Sequence, residues 1–101
     1  MELKQIQKDL ENFLECKKWL QFPPTDIFTH LIEELGEIGR HILFTTGYKT
    51  SEMGHLPPKK ENLEQEFGQA FSLFLHLASR LNVDLEEAII NELKNIKERF
   101  G

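Results

Sequence analysis

Apolar residues recur along this chain at intervals of three and four, the period of an amphipathic helix. Residues 3–20 carry Leu3, Ile6, Leu10, Phe13, Leu14 and Leu20 on one side, with polar residues on the other. Phe22-Pro23-Pro24-Thr25 interrupts the pattern, because proline removes a donor and restricts the residue before it. Thr25 or Asp26 can then cap a second helix. This helix is predicted over about 26–44, with a broad stripe of Ile27, Phe28, Leu31, Ile32, Leu35, Ile38, Ile42 and Leu43. Gly47, Gly54 and Pro57-Pro58 mark residues 45–61 as a loop, read either as a mobile connector or as a functional segment. A third helix is predicted over about 62–81, with Phe67, Ala70, Phe71, Phe74, Leu75, Leu77, Ala78 and Leu81 as core candidates. Asn82-Val83-Asp84 makes a short turn, and Asp84 with Glu87 has the spacing of a capping box. A fourth helix follows over about 85–99, with Leu85, Ala88, Ile89, Leu93, Ile96 and Phe100 inward. No strand-like alternation competes, so the expected fold is all-α, a four-helix bundle in one domain over residues 1–101.

Composition narrows the possible partners. Apolar residues make up 40% of the 101, including eight Phe, enough for one core. A chain of this size buries only roughly 60–68% of its unfolded surface, so association into homo-oligomers is expected. The net charge of −5 argues against a domain that coats nucleic acid. Cys16 is the only cysteine, which excludes an intramolecular disulfide and suits a reducing compartment. The N-terminus has no apolar signal segment, and the apolar-rich run Ala70 to Leu81 is too short to span a bilayer. A cytoplasmic protein with no membrane association is expected.

The candidate chemistry lies in polar residues embedded in apolar helices. His30, Glu34, Glu37 and His41 fall at spacings of four, three and four, a single stripe along the border of the second helix's apolar face. Gly36 and Gly39 interrupt the same helix at about 1 kcal/mol each relative to Ala, tolerable if they admit close packing or a ligand. Glu66, Gln69 and His76 form a polar line on the third helix. Carboxylates from facing helices can share hard cations such as Mg²⁺ or Mn²⁺, which take oxygen ligands. On spacing alone, a solvated acidic helix face is the simpler explanation of Glu33, Glu34 and Glu37. His76 follows Glu66 by nearly three turns, too far to share one ion with it. His55 lies in the loop, and Trp19 suits core packing.

The pattern Glu33-Glu34-Leu35-Gly36-Glu37, then 28 positions, then Glu66-Phe67-Gly68-Gln69, resembles the paired acidic half-motifs of MazG-type nucleotide pyrophosphohydrolases. The passage Phe74 to Ala88 is also similar to that family, and the likeness covers residues 27–100. The resemblance implies hydrolysis of nucleoside triphosphates to monophosphate and pyrophosphate. It implies Mg²⁺ held by Glu34, Glu37 and Glu66, with the residue at Gln69 as fourth ligand. Glu33, Glu34, Glu37 and Glu66 would be the catalytic carboxylates, Glu33 positioning the attacking water. Lys94, Asn95, Lys97 and Arg99 would meet the substrate phosphates; the alternative is a basic helix C-terminus that suits the helix dipole. A homodimer or homotetramer is implied as well.

One position departs from the family pattern. Gln69 stands where the second half-motif has Asp, and it offers a carbonyl oxygen without charge. This weakens attraction for Mg²⁺ and opens a rival reading, a non-catalytic nucleotide-binding or scaffold protein on the same fold. A carboxylate-bridged iron protein would need Glu-x-x-His pairs, and the sequence has none at these acids.

Overall fold

The structure, a computed structural model, describes residues 2–58 and 62–101. Its helices are α1 (Leu3–Cys16), α2 (Pro24–Thr45), α3 (Leu63–Arg80) and α4 (Leu85–Phe100). A short 3₁₀ turn, Ser51–Met53, lies between α2 and α3, and no strand occurs among the described residues. The all-α expectation holds. The chain forms two compact units, residues 1–24 with 75–101 and residues 25–74. α3 runs through both.

Helix ends follow local chemistry. α1 stops at Cys16, short of the expected residue 20. Lys18 adopts φ +62°, Trp19 N–H donates to Leu14 O at 2.9 Å, and Lys18 N–H donates to Glu15 O at 3.0 Å. These bonds form a Schellman termination on a lysine rather than the usual glycine. The end of α3 repeats it on Asn82, at φ +59°, with Val83 N–H donating to Ala78 O at 2.8 Å. α2 begins at Pro24, where the missing N–H costs nothing. Thr25 and Asp26 are therefore inside its first turn rather than capping it, and Asp26 there complements the helix dipole. α3 is opened by a reciprocal pair: Gln65 N–H donates to Asn62 Oδ1 at 2.8 Å, and Asn62 N–H donates to Gln65 Oε1 at 3.0 Å.

In the first unit, Leu14, Leu75 and Ala78 are buried, and α1 packs on α4. Buried Gln7 ties three segments together. Its amide nitrogen donates to Ser79 Oγ at 3.2 Å and Val83 O at 2.8 Å, and its oxygen accepts from Leu85 N–H at 3.0 Å. His76 is also buried, with Nε2 at 3.1 Å from Trp19 O, while Arg80 Nε donates to Phe22 O at 3.0 Å. The turn between α1 and α2 is thus held by the end of α3. Trp19 stays partly exposed, edge-on to Phe13 with ring centroids 6.0 Å apart.

In the second unit, Leu31, Ile38 and Ala70 cluster with Leu73, and Ile27 is buried. The expected core was larger. Phe67, Phe71 and Phe74 of α3 remain exposed, as do Ile89, Leu93, Ile96 and Phe100 of α4. Periodicity identifies the apolar face of a helix but not what covers it, and the described residues of the isolated chain leave these largely exposed.

Two outcomes test this account. Gln7→Leu leaves Leu85 N–H and Val83 O without their partner and is expected to cost about 2–3 kcal/mol, read from urea unfolding midpoints. Asp84 accepts from Glu87 N–H at 3.1 Å, and this bond, aided by Lys4 Nζ at 3.5 Å, holds its carboxyl below the usual carboxylate range. A lowered folded pKa contributes stability above the unfolded value, lost as pH falls through the folded one. The Asp84→Asn variant, which can still cap, is expected to lose less stability than the parent over that acid interval.

Candidate functional site

On α2, Leu31, Glu34, Ile38 and His41 recur at three and four, so the two polar groups lie along the line of two core residues. On α3, Glu66 precedes Ala70 by four and Leu73 by seven, which places it on the core-facing side. Glu66 is therefore fully buried, at 0% exposure. Its Oε1 lies 3.8 Å from His41 Nε2, and the His41 side chain is only 16% exposed. This contact links α2 and α3 at the level of the acidic stripe. The sequence placed His41 beside the carboxylates, yet its pairing with Glu66 could not be read from either helix alone.

Glu34 and Glu37 are mostly covered, with side chains 13% and 18% exposed. Glu34 Oε1 faces His30 Nε2 at 3.8 Å, and Glu37 Oε1 faces Arg40 at 3.9 Å. Their other oxygens, Glu34 Oε2 and Glu37 Oε2, are buried without a hydrogen-bond partner among the described residues. Buried acceptors of this kind cost about 1–3 kcal/mol each when left unmade. Both oxygens suit a hard cation in chemistry. In geometry, the side chains as placed gather no group of three or more His, Cys, Asp or Glu suited to a metal among the described residues. Gln69 is half-buried on α3, one turn past Glu66, and its backbone oxygen accepts from Ser72 Oγ at 2.8 Å. Glu33 is exposed.

The basic candidates belong to the other unit. Lys94, Asn95, Lys97 and Arg99 are all exposed on α4. Lys94 and Lys97 border a shallow hollow with Ile90 and Leu93, and the Arg99 guanidinium lies 5.8 Å from the Phe100 ring centre. The last turn of α4 carries Lys97 and Arg99, the placement that favours a helix dipole. No helix among the described residues is long and apolar enough to cross a membrane.

Comparison with known proteins gives a consistent picture. No family model matches the chain. A crystal structure of the Bacillus subtilis protein YpjD, provisionally described as a pyrophosphatase, superposes with a TM-score of 0.80. That likeness covers 95% of this chain and 93% of the other, at 28% identity. Mouse dCTP pyrophosphatase 1 is 23% identical over 99 residues, and the match spans 97% of this chain but 58% of the mouse protein. In sequence, YpjD of Bacillus subtilis is 31% identical over 91 residues, 85% of this chain and 75% of YpjD. A match of that identity and extent, on the same all-α fold, places the chain in the family of YpjD.

Proposed function

We propose that this chain is a nucleoside triphosphate pyrophosphohydrolase of the MazG-like type, dependent on Mg²⁺ or Mn²⁺. The observation that carries the reading is the pair of buried oxygens on Glu34 and Glu37 that have no hydrogen-bond partner among the described residues, in the same unit as fully buried Glu66. The names of two relatives, a pyrophosphatase and a dCTP pyrophosphatase, support the reaction class.

Glu34, Glu37 and Glu66 would hold the ion, with the Gln69 amide oxygen as a neutral fourth donor. When bound, the ion supplies positive charge to the phosphate oxygens and acidifies a water molecule. His41 orients Glu66, and exposed Glu33 positions the water on the open side of α2. Water adds to the α-phosphorus, the bond from that phosphorus to the bridging oxygen breaks, and pyrophosphate leaves. Nucleoside monophosphate remains.

Gln69 and the absence of a ready three-ligand cluster favour a second reading, nucleotide binding without turnover. Pyrophosphate release from the common and oxidised nucleoside triphosphates, dCTP first, separates the two. Release is expected with Mg²⁺, lost by about 100-fold or more in Glu37→Gln and Glu66→Gln, and increased in Gln69→Asp. No release with any nucleotide, together with calorimetric binding of nucleotide, would select the second reading.

Subunit association belongs to the same proposal. The stacked rings of Phe71 and Phe74, 6.3 Å apart, and the α4 residues Ile89, Ile90 and Leu93 offer exposed apolar surface on two helices. Light scattering is expected to return the mass of two or four chains of 11.9 kDa.

A further inference from the structure

The side of α2 turned away from Glu34, Ile38 and His41 has a pattern of its own. Ile32, Gly36, Gly39 and Leu43 recur at four, three and four, about half a turn round the helix from those residues. An edge with a period of seven runs along each flank. Phe28, Leu35 and Ile42 form one, and all three are half-exposed. Asp26, Glu33 and Arg40 form the other, the two acids exposed and the arginine partly covered. A narrow seam between two such edges is the arrangement by which helices pack lengthwise. The core of this unit lies on the opposite side of α2, so it gives this pattern no purpose.

The seam is open within the chain. A Cβ added at Gly36 or Gly39 would meet nothing within 4 Å. Each glycine costs about 1 kcal/mol relative to Ala in a helix interior, and bare backbone at a seam lets a second helix approach closely. Beside the C-terminal half of α2 the seam widens into a hollow of about 390 Å³. Its apolar lining includes Leu43, Phe44 and Leu56. Its charged and titratable lining is Arg40, Lys49 and His55, with no acid among the described residues around it. Lys49 N–H donates to Leu43 O at 3.1 Å, which folds the connection back on the end of α2. Through their side chains, Lys49 and His55 have no ion pair or hydrogen bond among the described residues. Arg40 has only a long contact with Glu37, at 3.9 Å.

The chemistry that fits this hollow is carried by α2 itself. Its N-terminal half presents exposed Phe28 and Ile32 beside exposed Asp26 and Glu33. Two α2 helices placed antiparallel about a twofold axis bring the acidic half of each against the basic half of the other. With Gly36 opposite Gly39, the same register sets Ile32 opposite Leu43 and Asp26 opposite Lys49. We propose that a second copy of this chain packs here, α2 on antiparallel α2, closest at Gly36 and Gly39, with Asp26 and Glu33 of each copy set against Lys49 and Arg40 of the other. The assignment rests on the reading that subunits associate, and it adds a contact separate from the α3 and α4 surfaces named for it. It leaves the side of α2 that bears Glu34 and His41 free. An ionised carboxylate has about four lone-pair sites, so a Glu33 held by a guanidinium keeps an acceptor for a water.

Light scattering with the full chain tests it, each variant compared with the parent at one concentration. Gly39→Leu and Arg40→Glu are each expected to halve the mass. Adding Glu33→Arg to Arg40→Glu is expected to restore it, because the exchanged charges pair again across the twofold axis. The added Cβ at Gly39 meets nothing in its own chain, so the helical circular dichroism of Gly39→Leu should match the parent. Carbodiimide coupling of the unaltered protein needs no variant. In a mixture of isotope-labelled and unlabelled chains, mass spectrometry is expected to find Lys49 joined to Asp26 or Glu33 of another copy. A parent mass that neither Gly39→Leu nor Arg40→Glu lowers overturns this contact, and a fall with Ile90→Lys alone then leaves association through α4 standing. A lowered mass that the double variant does not restore overturns the antiparallel pairing, as does coupling of Lys49 only within its own chain. A monomeric parent overturns both this contact and the association reading. Nucleotide turnover is not the readout, so failure of the pyrophosphohydrolase reading leaves these outcomes unchanged.

Discussion

A carboxylate with no exposure is the constraint around which the α2–α3 unit is organised. Glu66 occupies a position on α3 that the helical period reserves for a core residue, in line with Ala70 and Leu73. Leucine there would bury without electrostatic cost, whereas ionised oxygens taken out of water need compensation. His41 supplies part of it from α2 at 3.8 Å. Glu34 and Glu37 repeat the situation two turns and one turn before His41, each with one oxygen facing a basic group and one without a hydrogen-bond partner among the described residues. Stability alone would not select this arrangement. Three acids in and beside the core are the feature on which the proposed metal site rests.

The sequence carried more of this than of the rest. The helical period located all four helices, and the stripe from His30 to His41 came directly from spacings of three and four. What escaped was information that no single helix contains. The pairing of His41 with Glu66 depends on the register of α2 against α3, and a long irregular connection separates them. Lys18 in a left-handed conformation was equally hidden, because lysine rarely ends a helix in this way and nothing in its flanks announces it. The 3₁₀ turn at Ser51–Met53 was concealed by breakers that fit an unstructured loop equally well. Part of the loop, residues 59–61, falls outside the described residues.

The core list erred for a different reason. Phe67, Phe71 and Ile89 have the spacing of buried residues, yet they are half-exposed in the single chain. An amphipathic pattern records that a face is to be hidden and is silent about whether the cover belongs to the same molecule. α4 is the extreme case, with an apolar stripe that meets α1 only in part.

The Gln7 side chain has a consequence for how this chain can vary in length. It grips Ser79, Val83 and Leu85 at once, three points on either side of a turn only a few residues long. One residue inserted there would displace Val83 O and Leu85 N–H relative to Ser79, so that one Gln7 side chain could no longer bond to all three. The segment from Arg80 to Leu85 therefore has no slack, while the described part of the connection after α2 bonds chiefly to its own near neighbours and can lengthen or shorten at modest cost. Growth and loss of residues are channelled to the connection after α2 rather than to the turn that Gln7 holds. Changes there can then accumulate without disturbing the bonds by which Gln7 holds α1 to the start of α4.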